Sequence, residues 1–323
     1  MKNILFAAVT IVFLTATVTA ETLAQETYPT RPVTTVIPFP AGGGTDGAAR
    51  VFADTITKIL GQPFVVLNKP GASGSVGASY VAKSKPDGYT LGHLASTATL
   101  AECFTKYFTT DYTSEDFIPV AQWSGYPPVF FCTSDKPFKT MKELFNYARA
   151  RKEEVLFASR GRGEATSLAL HIIQEQEGIK NLRYVPFKGD SEILSAVLGG
   201  HADFGVVTFS VATPLIAAGK VRGLSIVTQD KIPAHPDIPN LFELGYNTGI
   251  RQFYLAAFVP KGTPEPIVKK LEKAIEQVTR EANFVAKMNN MNMPVIYKTS
   301  DQLKGLVQEM KKTYLDLAQR GLM

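Results

Sequence analysis

A chain of 323 residues has room for two domains of roughly 150 residues each, and its 45% hydrophobic and 20% charged residues are ordinary for a soluble globular protein. The formal net charge of +5, from 34 Lys plus Arg against 29 Asp plus Glu, is spread without any block of five like charges. That pattern excludes a dedicated nucleic-acid surface.

The first elements form an export signal. Lys2 supplies a positive start, Ile4 to Val18 is apolar and uncharged, and Val18-Thr19-Ala20 or Thr22-Leu23-Ala24 offers a small-residue cleavage site. The apolar stretch is short for a membrane span, and no Cys follows it to carry a lipid. Residues 1–24 are therefore expected to be a cleaved signal peptide, leaving a free periplasmic protein.

Beyond Pro32 the pattern alternates strand and helix. Val33 to Phe39 predicts a buried strand, followed by Ala41, Gly42, Gly43 and Gly44 and a helix starting at Thr45 or Asp46. Ala49, Phe52, Ile56 and Ile59 share one face of that helix. Phe64 to Leu67 predicts a second strand, ending in a turn that contains Ser73 and Gly74 and leads into a helix through Lys83. Thr90 to Leu94 is a third strand, and Ser96 and Thr97 open the next helix.

The middle of the chain repeats the plan. Val155 to Ala158 leads through Ser159, Arg160, Gly161, Arg162, Gly163 and Glu164 to a helix from Ala165. Arg183 to Phe187 leads through Lys188 and Gly189 to a helix ending at Leu198. Asp203 to Val207 leads through Thr208 into a helix over 211–218, and Arg222 to Val227 is a further strand. Phe253 to Val259, a helix after Thr263-Pro264 and a last helix over 301–319 complete the chain. This alternation predicts parallel sheets covered by helices on both faces, with ligands beyond the carboxyl ends of the strands. Two long extended passages, 118–132 and 250–260, are expected to cross between two domains. Domain 1 would comprise 27–123 plus 250–323, with 124–249 inserted as domain 2.

A glycine turn running from a strand into a helix N-terminus offers bare N–H groups and a positive dipole end to an anion. The phosphate-loop Gly-Lys-Ser/Thr signature is missing, and the spacing fits no dinucleotide fingerprint, so a carboxylate is the anion expected at 42–46. Asp46 is expected to orient a bound water or a ligand hydroxyl, or to cap its helix. Phe39 either packs beneath the ligand or closes the core. Arg160 and Arg162 either clamp an anion or form a solvated basic turn.

Other chemistries leave little trace. The stretch Gly71-Ala72-Ser73-Gly74-Ser75 comes near a nucleophile elbow but lacks its final glycine. The four histidines show no metal-ligand spacing, so neither metal nor cofactor is expected, and no catalytic residue is assigned. Cys103 and Cys132 either pair in an oxidising compartment or remain buried thiols.

An ordered set of motifs then carries a resemblance over nearly the whole mature chain. It comprises Tyr28-Pro29-Thr30-Arg31-Pro32, Pro38 through Asp46, Asn68-Lys69-Pro70-Gly71-Ala72-Ser73-Gly74, Pro86-Asp87-Gly88-Tyr89-Thr90, Ser159 through Gly163, Val185 through Gly189, and Leu198 through Asp203. The chain resembles the periplasmic solute-binding receptors of tripartite tricarboxylate transporters, the Bug receptors. The resemblance implies an α/β Venus-flytrap fold of the type II-like periplasmic binding proteins, with two domains joined by crossing strands. It implies that Gly42 to Asp46 and the turn at Ser73 and Gly74 hold a carboxylate through backbone groups and ordered waters. Residues near Ser159, Gly163 and Thr208 would read the rest of the ligand. Glu164, Ser167 and Val207 depart from the usual pattern, with Ser167 where a His is common and Val207 where an acid is common. The expectation is reduced preference for an amine-bearing ligand.

The function implied is capture of a small organic carboxylate by a monomeric protein, without catalysis, and delivery to membrane permease subunits. A ligand-sensing co-receptor for a membrane signalling protein is the alternative, and a hydrolase using Ser73 is a third. The receptor reading requires that the glycine-lined tips of the two domains converge and leave room for a guest.

Overall fold

Val33–Ile37 forms β1 because its β-branched run is buried on both faces. The computed structural model describes residues 28–161, 163–229, 232, 234–250 and 252–322. The expected export segment therefore lies outside the described residues. From β1 the chain enters α1 (Gly44–Leu60), whose Ala48, Ala49, Phe52 and Ile56 are buried and which stops at Gly61 in the left-handed conformation, φ 71°. β2 (Phe64–Asn68) and β3 (Thr90–Leu94) flank β1 in parallel, separated by α2 (Ser75–Ala82). Four residues, Ser96–Thr99, make the short α3.

β4 (Phe117–Gly125) and β5 (Pro128–Thr133) carry the chain from one sheet to the other. There follow α4 (Met141–Ala150), β6 (Val155–Ser159), α5 (Ala165–Gln176), β7 (Leu182–Pro186), α6 (Asp190–Leu198), β8 (Phe204–Thr208), α7 (Phe209–Ala217) and β9 (Val221–Ile226). β10 (Tyr254–Pro260) returns to the first sheet, followed by α8 (Glu265–Arg280), α9 (Ala282–Asn290), β11 (Val295–Lys298) and α10 (Ser300–Gln319).

Two lobes result. Lobe 1 holds the six-stranded sheet in the order β11-β4-β10-β3-β1-β2, and lobe 2 the five-stranded sheet β7-β6-β8-β5-β9. The sheets are mixed rather than all parallel. β10 runs antiparallel to both β3 and β4, and β5 runs antiparallel to both β8 and β9. The crossing strands cause this, because a chain that leaves a sheet along one strand must come back along another.

Helices α4 and α9 and strand β11 exceed the sequence expectation. Helix α4 buries Met141, Leu144, Phe145 and Ala148, and its start is capped by Thr140 Oγ1 accepting from the Glu143 N–H at 3.1 Å. Strand β11 is four half-buried residues at a sheet edge, too short for alternation to register.

The lobe 1 core centres on Trp123, Phe52 and His93, whose rings lie 4.6–5.3 Å apart. Cys103 lies beside α3 and Cys132 on β5. Both are free and buried, in different lobes, and burial pushes their thiols up to about 12 and about 11. Among the described residues no helix is long and apolar enough to cross a membrane.

Candidate functional site

The lobe 1 loop after β1 is held by its own polar groups. Gly42 adopts φ 82° and donates its N–H to Asp46 Oδ2 at 3.0 Å. Arg50 Nε donates to the same oxygen at 3.0 Å. Asn68 Nδ2, at the end of β2, donates to Asp46 Oδ1 at 2.9 Å and to the Phe39 carbonyl at 3.0 Å. Burial alone would push the Asp46 carboxyl up, but Arg50, the Gly42 N–H and Asn68 outweigh it and hold the group below the ordinary carboxylate range. Both Asp46 oxygens are thus engaged inside lobe 1. The N-cap of α1 is Gly43, which has no side chain to offer, so Asp46 closes the loop instead of capping the helix.

The neighbouring turn is tight. Ser73 and Gly74 take φ 53° and 96°, and a Cβ at Gly74 would stand 3.1 Å from Ala98 and 3.3 Å from Pro38. Ser96 and Thr97 are buried at the start of α3.

Lobe 2 presents three more helix starts. At the end of β6, Ser159 Oγ accepts from the Gly161 N–H at 3.3 Å. Glu164 caps α5, its Oε2 accepting from the Thr166 N–H at 3.3 Å and from the Thr166 hydroxyl. Arg160 is buried rather than solvated. Its Nη2 donates to Glu164 Oε1 at 3.2 Å, its Nη1 donates to Asp190 Oδ1, and its guanidinium carbon lies 5.4 Å from the Phe39 ring centre. Burial opposes its charge, yet the two carboxylates outweigh burial and keep it protonated. Ser167 and Thr208 are buried with hydroxyl oxygens that have no partner, and Lys188 is exposed.

The tips of the two lobes meet. Asp190, the first residue of α6, accepts from the Gly44 N–H at the start of α1 at 3.4 Å. Thr97 Oγ1 accepts from the Ala165 N–H at 3.3 Å, and the Ser191 hydroxyl donates to the Gly42 carbonyl at 3.5 Å. Gly163 lies so close to lobe 1 that a Cβ there would be 2.8 Å from Tyr107 Cβ.

Space remains on both sides of Arg160. A cavity of about 320 Å³ is bounded by Phe39, Ser73, Gly74, Arg160, Phe187 and Lys188. A second, of about 160 Å³, is bounded by Ala41, Gly43, Thr45, Arg160, Asp190 and Ser191. Gly42, Asp46, Ser96, Thr97, Ser159, Gly163, Glu164, Ser167 and Thr208 line neither; all but the exposed Gly42 are buried behind or between the lobes. A larger hollow of about 800 Å³ lies behind the crossing segments, against Gln122, Tyr126, Phe253 and Met293, and holds none of the helix tips. Sequence reasoning missed Asp190 and Ser191. Their signal was the same strand-glycine-helix junction, at Gly189, that singled out the other tips.

Residues 48–321 match a family model described as the tripartite tricarboxylate transporter family receptor, TctC. The protein BugT of Bordetella pertussis strain Tohama I is 31% identical over 299 residues, covering 92% of this chain and 91% of BugT. Among solved structures, the periplasmic binding protein BugD superposes with a TM-score of 0.82 at 29% identity, covering 91% of this chain and 99% of BugD. MatC from Rhodopseudomonas palustris, solved with bound malate, gives 0.82 at 28% identity, covering 90% and 99%.

Proposed function

This chain belongs to the tripartite tricarboxylate transporter receptor family, and on that premise we propose that it captures a small organic carboxylate between its lobes and hands it to membrane permease subunits. The observation that carries the reading is the convergence of glycine-lined helix tips from both lobes on Arg160, beside a cavity of about 320 Å³. That volume falls at the small end of ordinary ligand sites, which run from roughly 300 Å³. Phe39, Ser73, Gly74 and Lys188 surround the guest, Gly43 and Thr45 border the adjoining smaller cavity, and Thr97, Gly163 and Thr208 form the surfaces on which the lobes close. Closure is the population shift that the permease recognises.

The protein works as a free, exported monomer and performs no chemistry on its ligand. Ser73, the residue a hydrolase would use, borders a cavity that no described histidine lines. The malate found in MatC supports the same ligand class here.

A thermal-shift screen across mono-, di- and tricarboxylates tests the reading. A ligand at about a hundred times its dissociation constant stabilises the folded form by roughly 2.7 kcal/mol, a shift readily seen. At least one small acid is expected to give it and to be recovered unchanged after long incubation. A melting temperature indifferent to every acid overturns the proposal.

A further inference from the structure

Three helix tips in the cleft, those of α1, α5 and α6, already hold anions, and the anions are the protein's own. At the start of α1 the Gly44 N–H is taken by Asp190, which reaches across from lobe 2. At the start of α5 the Thr166 N–H is taken by Glu164, and the Ala165 N–H by the Thr97 hydroxyl of lobe 1. The Lys188 N–H just before α6 is taken by Glu192 Oε2 at 3.0 Å. The cleft's only buried cation, among the described residues, has two carboxylates: the side chains of Arg160, Glu164 and Asp190 are 5%, 3% and 3% exposed. Two negative charges are therefore balanced by one guanidinium and two positive helix ends.

The groups left over are of another kind. Arg160 Nε, Ser167 Oγ, Thr208 Oγ1 and Ser210 Oγ are buried without partners. Of these only Arg160 borders the cavities, joined in the larger one by the exposed Lys188, while Glu192 borders both and Asp190 the smaller. One carboxylate has cations to meet, whereas a second full charge at the α1 tip would enter beside Asp190 with the Gly44 N–H already engaged.

Resting on the receptor reading above, we infer that Asp190 is a specificity-determining residue: its carboxylate stands at the α1 tip in place of a second ligand carboxylate, so the cleft takes small monocarboxylates bearing hydroxyl or carbonyl groups and rejects the matching dicarboxylates. The tether is physical. Asp190 sits at the first position of α6, and its other oxygen is fixed by Arg160. A guest must leave this carboxylate where it is or break an inter-lobe contact.

Matched pairs of acids test this by titration calorimetry. Hexanoate and adipate share six carbons, and 3-hydroxybutyrate and malate share four carbons and a hydroxyl. Each pair differs by one carboxylate. Wild-type protein is expected to bind the monoacid of at least one pair about tenfold or more tightly than its diacid. In Asp190→Asn, which keeps an acceptor for the Gly44 N–H but removes the charge, that ratio is expected to fall by about tenfold or more, with the diacid gaining. Asp190→Ser removes the reach as well and is expected to favour the diacid further; where it fails to fold, Asp190→Asn decides alone. A wild type that prefers the diacids, or a ratio unmoved by Asp190→Asn, overturns the inference and leaves the receptor reading standing. Variants that gain no diacid binding where the wild type binds none of the four also overturn it. The receptor reading fails separately, on the full acid screen.

Discussion

Gly44 and Thr208 pack so closely across the cleft that a Cβ added to Gly44 would lie 2.7 Å from Thr208 Cγ2, with Ser210 Oγ nearer still. The obstacle belongs to the other lobe, whereas the backbone at Gly44 is the first turn of a helix that any residue adopts. Gly44→Ala is therefore expected to keep the fold and even favour α1 slightly, by up to about 1 kcal/mol, since alanine is the better helix former. It is expected to hold the lobes apart and weaken ligand binding by about tenfold or more. Small-angle scattering should report a larger radius of gyration with a melting temperature no lower than the wild type's. A variant that closes and binds like the wild type contradicts the contact.

Asn68 ties two loops together. Its amide donates to Phe39 and Asp46 at 3.0 and 2.9 Å, so one side chain at the end of β2 fixes the shape of the glycine turn after β1. Asn68→Ala leaves both acceptors without this donor and is expected to cost about 1–3 kcal/mol by urea unfolding. Affinity should fall as well, because the turn is no longer held. Asn68→Asp keeps the size but loses the donors beside Asp46, and is expected to be worse than alanine.

The strand-helix alternation and the glycine junctions were legible because each repeats a local rule: a buried apolar run, then a residue able to turn, then a helix start. Thr90–Leu94 and the start of α5 at Ala165 stand where the pattern placed them. What the sequence hid was pairing over distance. Arg160 sits in a glycine-rich stretch that reads equally well as a solvated rim, and only the fold brings Asp190, thirty positions away, against its guanidinium. The partners of Asp46 were hidden for a related reason. An acid in the first turn of a helix suggests a cap or a ligand contact, yet Arg50 and Asn68 converge on it from α1 and β2. The short edge strand β11 carried too few residues to announce itself.

The Arg160 cluster sets a stability prediction of its own. Arg160→Met leaves Glu164 and Asp190 buried without their cation and is expected to destabilise the fold by about 3–5 kcal/mol at neutral pH. Neutralising all three, as Arg160→Met with Glu164→Gln and Asp190→Asn, is expected to recover most of that loss, because a buried ion group replaced as a whole is often close to neutral in stability. Urea unfolding of the single and triple variants decides. A triple variant as unstable as the single one would mean that packing around the arginine stem, rather than charge, holds this part of the cleft.

His93 supplies the pH dependence. It is fully buried in lobe 1, its Nδ1 accepts from Trp123 Nε1 at 2.9 Å, and its ring edge meets Phe52 at 4.6 Å. Burial favours the neutral imidazole and pulls its pKa down to about 3. The unfolded chain takes up the proton near pH 6.5, well before the folded chain does, so the folded state is favoured above that pH and loses ground as pH falls from about 6.5 towards 3. The loss is about 1.4 kcal/mol per pH unit, or roughly 2 kcal/mol between pH 6.5 and 5. His93→Gln cannot titrate and forfeits the aromatic contact, so it is expected to be less stable at pH 8 yet to lose about 2 kcal/mol less on acidification to pH 5. Equal slopes for the two proteins in urea unfolding across that range would show that His93 finds a way to be charged where it sits.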